Sequence, residues 1–190
     1  MAGFKKVFKD SLFYKNIFTL FKGSAISQII PLLISPVITR LYTPRELGVL
    51  ALFTSISTIL GSIVNGRYEQ ALVLVKSEEE ANHLTSLSLL ISLIVSSILL
   101  LFFLFFSSFF LEILNEPKLV FWIYFIPLVV FSIGVYNTLN YYQLRKKEFK
   151  SISNSEIYRS VSFASIQIVF PALKSGLFGL MIGKIISSLF

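Results

Sequence analysis

The sequence predicts an all-α fold, a polytopic membrane helix bundle of about six transmembrane helices. Hydrophobic residues make up 55% of the 190-residue chain and charged residues only 14%, whereas soluble domains are about half apolar and a quarter charged. Uncharged runs long enough to cross a bilayer recur along the chain. Most basic residues flank these runs, as they do beside membrane spans. The chain therefore belongs in a bilayer.

Apolar runs account for the predicted crossings. A crossing helix needs about 20 mostly apolar residues, and four uncharged runs reach that length: 23–39, 47–66, 84–111 and 119–144. A fifth run covers 160–173 and is extended across Arg159, and a sixth begins at Ser175 and is still apolar at Phe190. We expect a six-helix lobe over 23–190 that is truncated in its last helix.

The first 22 residues lack the small-residue cleavage pattern of a secretory signal. Phe4, Phe8 and Leu12 recur at helical spacing among lysines. Residues 1–22 are therefore predicted to form a cytoplasmic amphipathic segment in the headgroup layer. A plain cytoplasmic tail is the alternative.

Helix-start signals precede several runs. Thr43-Pro44-Arg45-Glu46 has the order of a capping box with proline at the first helical position. The S-x-x-E pattern recurs from Ser77 and from Ser153, before the third and fifth runs. The acidic cluster at 78–80 is interpreted as a dipole-compensated helix start rather than a metal site.

Loop charges predict the orientation. With the N-terminus in the cytoplasm, twelve of the seventeen lysines and arginines fall in inside segments. Short inside loops carry the excess of positive charge, so a cytoplasmic N-terminus is favoured. The first run also holds Pro31 and Pro36, for which a bend or an unwound turn is expected.

Polar residues within the runs recur every three or four positions, so each set shares a helix face. Serines of the third run favour close helix packing. Amides and carboxylates in hydrocarbon need a partner or water, so we expect Gln28, Asn65 and Glu69 to converge on a wet interior. Arg67 and Glu69 come at the end of the second run, so the alternative for both is a position at the level of the lipid headgroups. The second stripe comprises Ser55, Thr58, Ser62, Asn65 and Glu69, and the third Thr85, Ser88, Ser92 and Ser96.

The chain lacks the residues that several kinds of catalytic or metal site need. The chain has no cysteine and one histidine, so neither a thiolate nor a His-cluster metal site is predicted. No phosphate-binding G-x-x-x-x-G-K-[ST] motif occurs, and neither an enzyme nor a bound cofactor is expected. The net charge of +7 is assigned to membrane lipids rather than to nucleic acid.

Three segments carry a family resemblance: PVITRLYTPRELG at 36–48, GRYEQALVL at 66–74 and KSEEEA at 76–81. Together with the helix layout from residue 16 onward, they resemble the amino-terminal half of bacterial polysaccharide biosynthesis proteins of the oligosaccharide flippase type. That superfamily also holds multidrug and toxin extruders and peptidoglycan lipid flippases.

The resemblance implies a two-lobe transporter in the cell membrane of a bacterium or archaeon, of which this chain supplies one lobe and lacks the carboxy-terminal lobe. Its cargo would be a polyprenyl-diphosphate-linked oligosaccharide repeat unit, moved from the cytoplasmic to the outer face for surface polysaccharides such as O-antigen, capsule or exopolysaccharide. Polysaccharide polymerases or glycosyltransferases are the partner proteins that it suggests.

Site residues follow from that cargo. Arg40 and Arg67 are expected to pair with phosphate through bidentate donors, with snorkelling to lipid headgroups as the alternative. Glu69 would pair with an arginine or bind a coupling proton or sodium ion. The amides expected to contact sugar hydroxyls are Gln28, Asn65 and Asn137.

Two rival functions share these features. A cation-coupled multidrug extruder would carry acidic residues well inside a span, whereas every Asp and Glu here falls at a loop or run end. A non-transporting scaffold of polysaccharide synthesis is the other alternative.

Overall fold

The computed structural model describes residues 2–114, 116–172 and 176–189, with side chains described from Tyr14 onward except at 108, 111–114, 117, 170–172 and 189. The chain forms a bundle of α-helices in which no strand occurs within those ranges. Two 3₁₀ turns, Pro117–Leu119 and Trp122–Phe125, join the fourth helix to the fifth. The helices are α1 Ala2–Leu41, α2 Pro44–Ile63, α3 Tyr68–Ala71, α4 Glu78–Leu114, α5 Ile126–Arg145, α6 Phe149–Ala172 and α7 Gly176–Leu189.

The bundle confirms the predicted all-α membrane class. Four helical segments in the described ranges are long and apolar enough to cross a membrane: Tyr14–Leu41, Pro44–Ile63, Glu78–Ser107 and Trp122–Arg145. They match the first four predicted crossings. The apolar part of α7, Gly176–Ser188, is shorter, and α6 carries Glu156 and Arg159 in its first half. Crossings by α6 and α7 stay predictions.

The first helix is longer than the sequence predicted. It runs unbroken from Ala2 to Leu41, so no helix boundary separates residues 1–22 from the first crossing. The helix also continues through Pro31 and Pro36, so the alternative of an unwound turn is wrong. An interfacial position for the segment 1–22 stays a prediction.

Capping hydrogen bonds form at two of the helix starts that the sequence predicts. Thr43 Oγ1 accepts from the Glu46 backbone N–H, while Glu46 Oε2 accepts from the Thr43 N–H at 2.9 Å. Ser77 Oγ likewise accepts from the Glu80 N–H. The start predicted at Ser153 is wrong, because α6 already begins at Phe149. Ser153 lies inside that helix.

Helix α1 packs mainly on α6, through small residues. A Cβ at Gly23 would lie 2.8 Å from the Ser153 Cα, so glycine lets the two backbones approach. Ser160 Oγ then donates to the Ser27 carbonyl at 2.6 Å. Close approach through small and hydroxyl residues is a common way for membrane helices to associate.

The apolar core lies where α2, α5 and α7 meet beside the second 3₁₀ turn. Phe53, Ile126 and Met181 are fully buried there, and Trp122 packs its ring 5.0 Å from that of Phe178. Large apolar side chains elsewhere on the helices point outward, including Leu33 at 70% and Phe105 at 81% exposure. A bundle with apolar residues on both its inner and outer faces suits a lipid solvent.

Polar contacts tie the two ends of the bundle. At one end Arg45 pairs with Glu116 at 3.2 Å. At the opposite end Arg145 pairs with Glu78 at 2.9 Å, and its guanidinium also donates to the carbonyls of residues 75–77. Arg145 therefore holds the α3–α4 connection against the end of α5.

Candidate functional site

Asn65 lies at the centre of a buried hydrogen-bond network. Its side chain is 2% exposed and donates to the Gly134 carbonyl at 2.9 Å and to Thr138 Oγ1 at 3.0 Å. Its carbonyl oxygen accepts from Ser92 Oγ, and Ser88 Oγ lies 2.9 Å from Thr138 Oγ1. Because its amide is satisfied by α4 and α5, Asn65 links three helices and presents no free donor to a cargo.

A tight turn carries Asn65 and Glu69 into the bundle. Helix α2 ends at Ile63, and Gly66 and Arg67 both adopt positive φ, at 56° and 65°. This left-handed region is unusual for arginine. The predicted stripe is broken there: Ser55, Thr58 and Ser62 face outward, whereas Asn65 and Glu69 face inward. The helical spacing was extrapolated past the last helical residue.

Glu69 is a buried carboxylate on α3. Its side chain is 4% exposed, and Oε2 has no hydrogen-bond partner in the described part of the chain. The two ion pairs formed there, Arg45–Glu116 and Arg145–Glu78, do not include it. A buried charged oxygen without a partner is costly, so binding of a proton or a cation would satisfy it.

The other predicted site residues do not form a cluster. Gln28 is exposed on α1 and donates within its own helix to Ser24 Oγ at 3.3 Å. Arg40 and Arg67 are both exposed, and Asn137 is half-buried on α5. Among the described residues, Gln28 forms no hydrogen bond to the Asn65 network or to the turn that carries Glu69. The expected convergence of Gln28, Asn65 and Glu69 on one wet interior is therefore wrong.

Polar residues converge instead on a pocket between α1, α5, α6 and α7. Its volume is about 440 Å³. Most of its lining side chains are charged or hydroxyl-bearing, which is the composition needed to hold a polar ligand. We call it the polar pocket, and its lining residues are Ser27, Pro31, Tyr136, Glu156, Arg159, Ser160, Phe163, Lys184 and Ser187.

The charges of the polar pocket are two cations and one carboxylate. The Arg159 guanidinium stacks over the Tyr136 ring at 4.7 Å, and the Lys184 ammonium lies over the Phe163 ring at 5.8 Å. Neither cation takes part in the ion pairs formed by the described residues. Aromatic faces stabilise a cation without neutralising it. The pocket therefore keeps a net positive charge that can attract an anion.

The cations of this pocket were not among the predicted site residues, although the sequence carries a signal for them. In the sequence, Arg159 interrupts the fifth apolar run and Lys184 lies within the sixth. An ionisable residue inside an apolar run is by default a functional candidate, and that rule selects both. Glu156 was assigned to a helix start, but it lies inside α6.

Comparison with known protein families gives a match over most of the chain. The model of a family described as polysaccharide biosynthesis protein matches residues 37–190. That range includes α2 to α7 and most side chains of the polar pocket. No curated protein and no solved structure gives a significant match to the chain.

Proposed function

The chain belongs to the polysaccharide biosynthesis protein family, and from this premise we propose that it takes part in moving a polyprenyl-diphosphate-linked oligosaccharide across the cell membrane. The observation that carries the proposal is the polar pocket. It offers Arg159 and Lys184 to an anionic group, and hydroxyls from Ser27, Ser160 and Ser187 beside them. The cargo has the matching chemistry, a diphosphate followed by sugars.

The physical task explains why such a pocket is needed. A diphosphate and a glycan cannot enter hydrocarbon without a large desolvation cost. A pocket with cationic and hydroxyl walls replaces the lost water, while the lipid tail stays among apolar side chains. Arginine is suited to this task because its guanidinium donates two parallel hydrogen bonds to a phosphate.

The position of the pocket along the helices supports loading from the cytoplasm. Its α6 residues lie within fifteen positions of Phe149, and Ser187 is near the end of α7. Under the orientation predicted from loop charges, both ends are cytoplasmic. The lipid-linked unit is made on that face, so the pocket would meet its cargo where synthesis ends.

Glu69 enters the proposal as a coupling group. Of the two roles predicted for this carboxylate, binding a proton or a cation fits its burial better than pairing with an arginine, because no described cation pairs with it. Arg67 would guide the diphosphate at the membrane surface, since it is exposed at the same end of the bundle.

Complementation tests the proposed function. In cells that lack the gene and have lost surface polysaccharide, the wild-type gene should restore it, whereas genes that carry Arg159→Gln or Lys184→Met should not. Lys150→Gln is a matched control, because Lys150 is an exposed cation of α6 outside the pocket. Full restoration by both pocket variants would overturn the proposal.

Two other phenotypes would point to the rival functions. The polar pocket contains Glu156, which is the kind of carboxylate that an extruder of cationic drugs uses, but two cations beside it would repel such drugs. Altered drug sensitivity with intact polysaccharide would indicate an extruder. Altered polysaccharide chain length alone would indicate a scaffold.

Orientation has its own test, which the absence of native cysteine makes simple. Single cysteines replacing Ser77, Lys118 or Lys147 can be labelled from outside intact cells with a membrane-impermeant maleimide. Only Lys118→Cys should react, because Lys118 lies in the turn between α4 and α5 and the other two lie at the opposite end. Reaction at Ser77→Cys or Lys147→Cys would reverse the orientation and place the polar pocket in the outer half.

A further inference from the structure

An apolar pocket of about 210 Å³ adjoins the polar pocket. Tyr136 lines both, and Ser188 of the apolar pocket follows Ser187 of the polar one. The α5 residues of the apolar pocket are spaced three and four apart, so they form one face of the helix. They are Leu128, Phe131, Ser132, Val135, Tyr136 and Leu139.

A third pocket continues the same face toward the other end of α5. It also measures about 210 Å³, and it shares Leu128 and Phe131 with the second pocket. It lies between α5 and α4 and reaches Tyr124 and Pro127. The second and third pockets together form one groove, which we call the α5 groove. From Tyr136 to Tyr124 it extends roughly 18 Å at 1.5 Å per residue.

Charge and polarity change sharply from the polar pocket to the α5 groove. The polar pocket carries two cations at one end, whereas the α5 groove is lined mainly by aliphatic and aromatic side chains. A polyprenyl diphosphate has the same order of groups, with a dianionic or trianionic head joined to an unsaturated hydrocarbon. Small residues such as Ser132 and Pro127 leave space between the bulky ones, where the methyl branches of an isoprenoid can fit.

We propose that the α5 groove binds the first isoprene units of the lipid whose diphosphate occupies the polar pocket. This inference rests on the proposed function and deepens it, because it assigns a path to the tail. Tyr136 is the junction, because its ring lies under the Arg159 guanidinium and the same residue lines the groove. Recognition then depends on both head and tail.

Binding in nanodiscs with two probes of different tail length separates the two halves of the site. The probes are undecaprenyl diphosphate, which reaches along the groove, and dimethylallyl diphosphate, which has one isoprene unit. Val135→Trp fills the middle of the groove, and Arg159→Gln removes a pocket cation. Leu90→Trp is the matched control, because Leu90 is 55% exposed on α4 and lines none of the three pockets.

Val135→Trp should weaken binding of the long probe by at least about tenfold, because even one methylene in an apolar pocket changes discrimination by roughly 10- to 200-fold. Binding of the short probe should be unchanged. Arg159→Gln should weaken both probes, and Leu90→Trp neither.

The other outcomes of the binding measurement separate failure of the groove proposal from failure of the proposed function. If Val135→Trp leaves long-probe binding intact while Arg159→Gln abolishes it, the groove proposal is overturned and the proposed function stands. If the wild type binds neither probe, the proposed function fails, and this inference fails with it. If Val135→Trp weakens binding of phosphatidic acid as much as that of the long probe, the groove is an ordinary acyl-chain site and the proposal is wrong.

A thiol-protection measurement covers the case in which Val135→Trp misfolds and loses both probes. Ser132→Cys places a thiol in the groove with little change in volume, and Ser62→Cys places one on the exposed face of α2. The long probe should slow alkylation of Ser132→Cys by N-ethylmaleimide, whereas the short probe should not. Equal rates with and without the long probe would overturn the proposal.

Discussion

Replacing Asn65 by alanine tests whether this residue holds helices together or binds cargo. The change removes two donated hydrogen bonds, to the Gly134 carbonyl and Thr138 Oγ1, and one accepted from Ser92 Oγ. The partners keep other contacts: Ser92 Oγ still donates to the Ser88 carbonyl, and Thr138 Oγ1 to the Gly134 carbonyl. The variant therefore leaves no neighbour wholly unpaired, which limits the cost.

The expected magnitude follows from the count of bonds. Side-chain hydrogen bonds between membrane helices average about 0.6 kcal/mol each, so three bonds give about 2 kcal/mol. Truncation of a fully buried side chain adds a cavity term to that value. The free energy of unfolding of Asn65→Ala, measured by titration from mild detergent into SDS, should fall by at least about 2 kcal/mol.

Asn137→Ala is the matched control, because Asn137 is half-buried on α5 and its side chain makes no hydrogen bond to the described residues. Its unfolding free energy should be close to that of the wild type. A double-mutant cycle with Thr138→Val should show coupling to Asn65, since the two side chains are bonded directly. Equal stabilities for Asn65→Ala and Asn137→Ala, with cargo binding lost only in the former, would refute the structural role.

Two further changes probe packing and the end of α1. A Cβ at Gly134 would lie 2.6 Å from the Asn65 side-chain oxygen, so Gly134→Ala should lower the unfolding free energy by about 1–3 kcal/mol. A Cβ at Gly48 would meet nothing within 4 Å, so Gly48→Ala should raise the unfolding free energy by roughly 0.5–1 kcal/mol. The same SDS titration measures both variants. Burial, with a contribution from Glu46, raises the pKa of Tyr42 to about 12 from its ordinary value of 10. The folded state holds this proton more tightly, so the stabilisation is complete below pH 10 and is lost as the pH rises to about 12; a stability profile of Tyr42→Phe that falls as steeply as the wild type there would contradict the assignment.

Local chemistry made much of the fold predictable. The first four crossings follow from apolar run length alone, and the start of α2 follows from a capping box whose atoms lie within four residues of one another. Such signals depend on neighbours in sequence. The wrong start at Ser153 shows the limit, because the same S-x-x-E letters occur inside α6, where Ser153 packs against Gly23 instead of capping a helix.

The site was less predictable because it depends on where helices end and which ones meet. Helical spacing correctly grouped Ser88, Ser92 and Ser96 on a buried face. It misplaced Glu69 relative to Ser62, since two residues of positive φ intervene. No spacing rule could bring Tyr136 of α5 and Lys184 of α7 to one pocket, because their contact is set by tertiary packing.

Burying a cation in the polar pocket costs free energy, and this cost predicts the stability of a variant that lacks the cation. A charged side chain inside a bilayer costs about 2.5–3.5 kcal/mol, and a cation over an aromatic ring recovers about 0.5–2 kcal/mol. For Lys184 over Phe163 the two terms leave a deficit of about 0.5–3 kcal/mol, with no ion pair among the described residues to offset it. Lys184→Met should therefore raise the unfolding free energy of the ligand-free protein while it abolishes binding of dimethylallyl diphosphate. A less stable Lys184→Met protein would mean that the ammonium stabilises the fold, and that burying this cation carries no net cost in free energy.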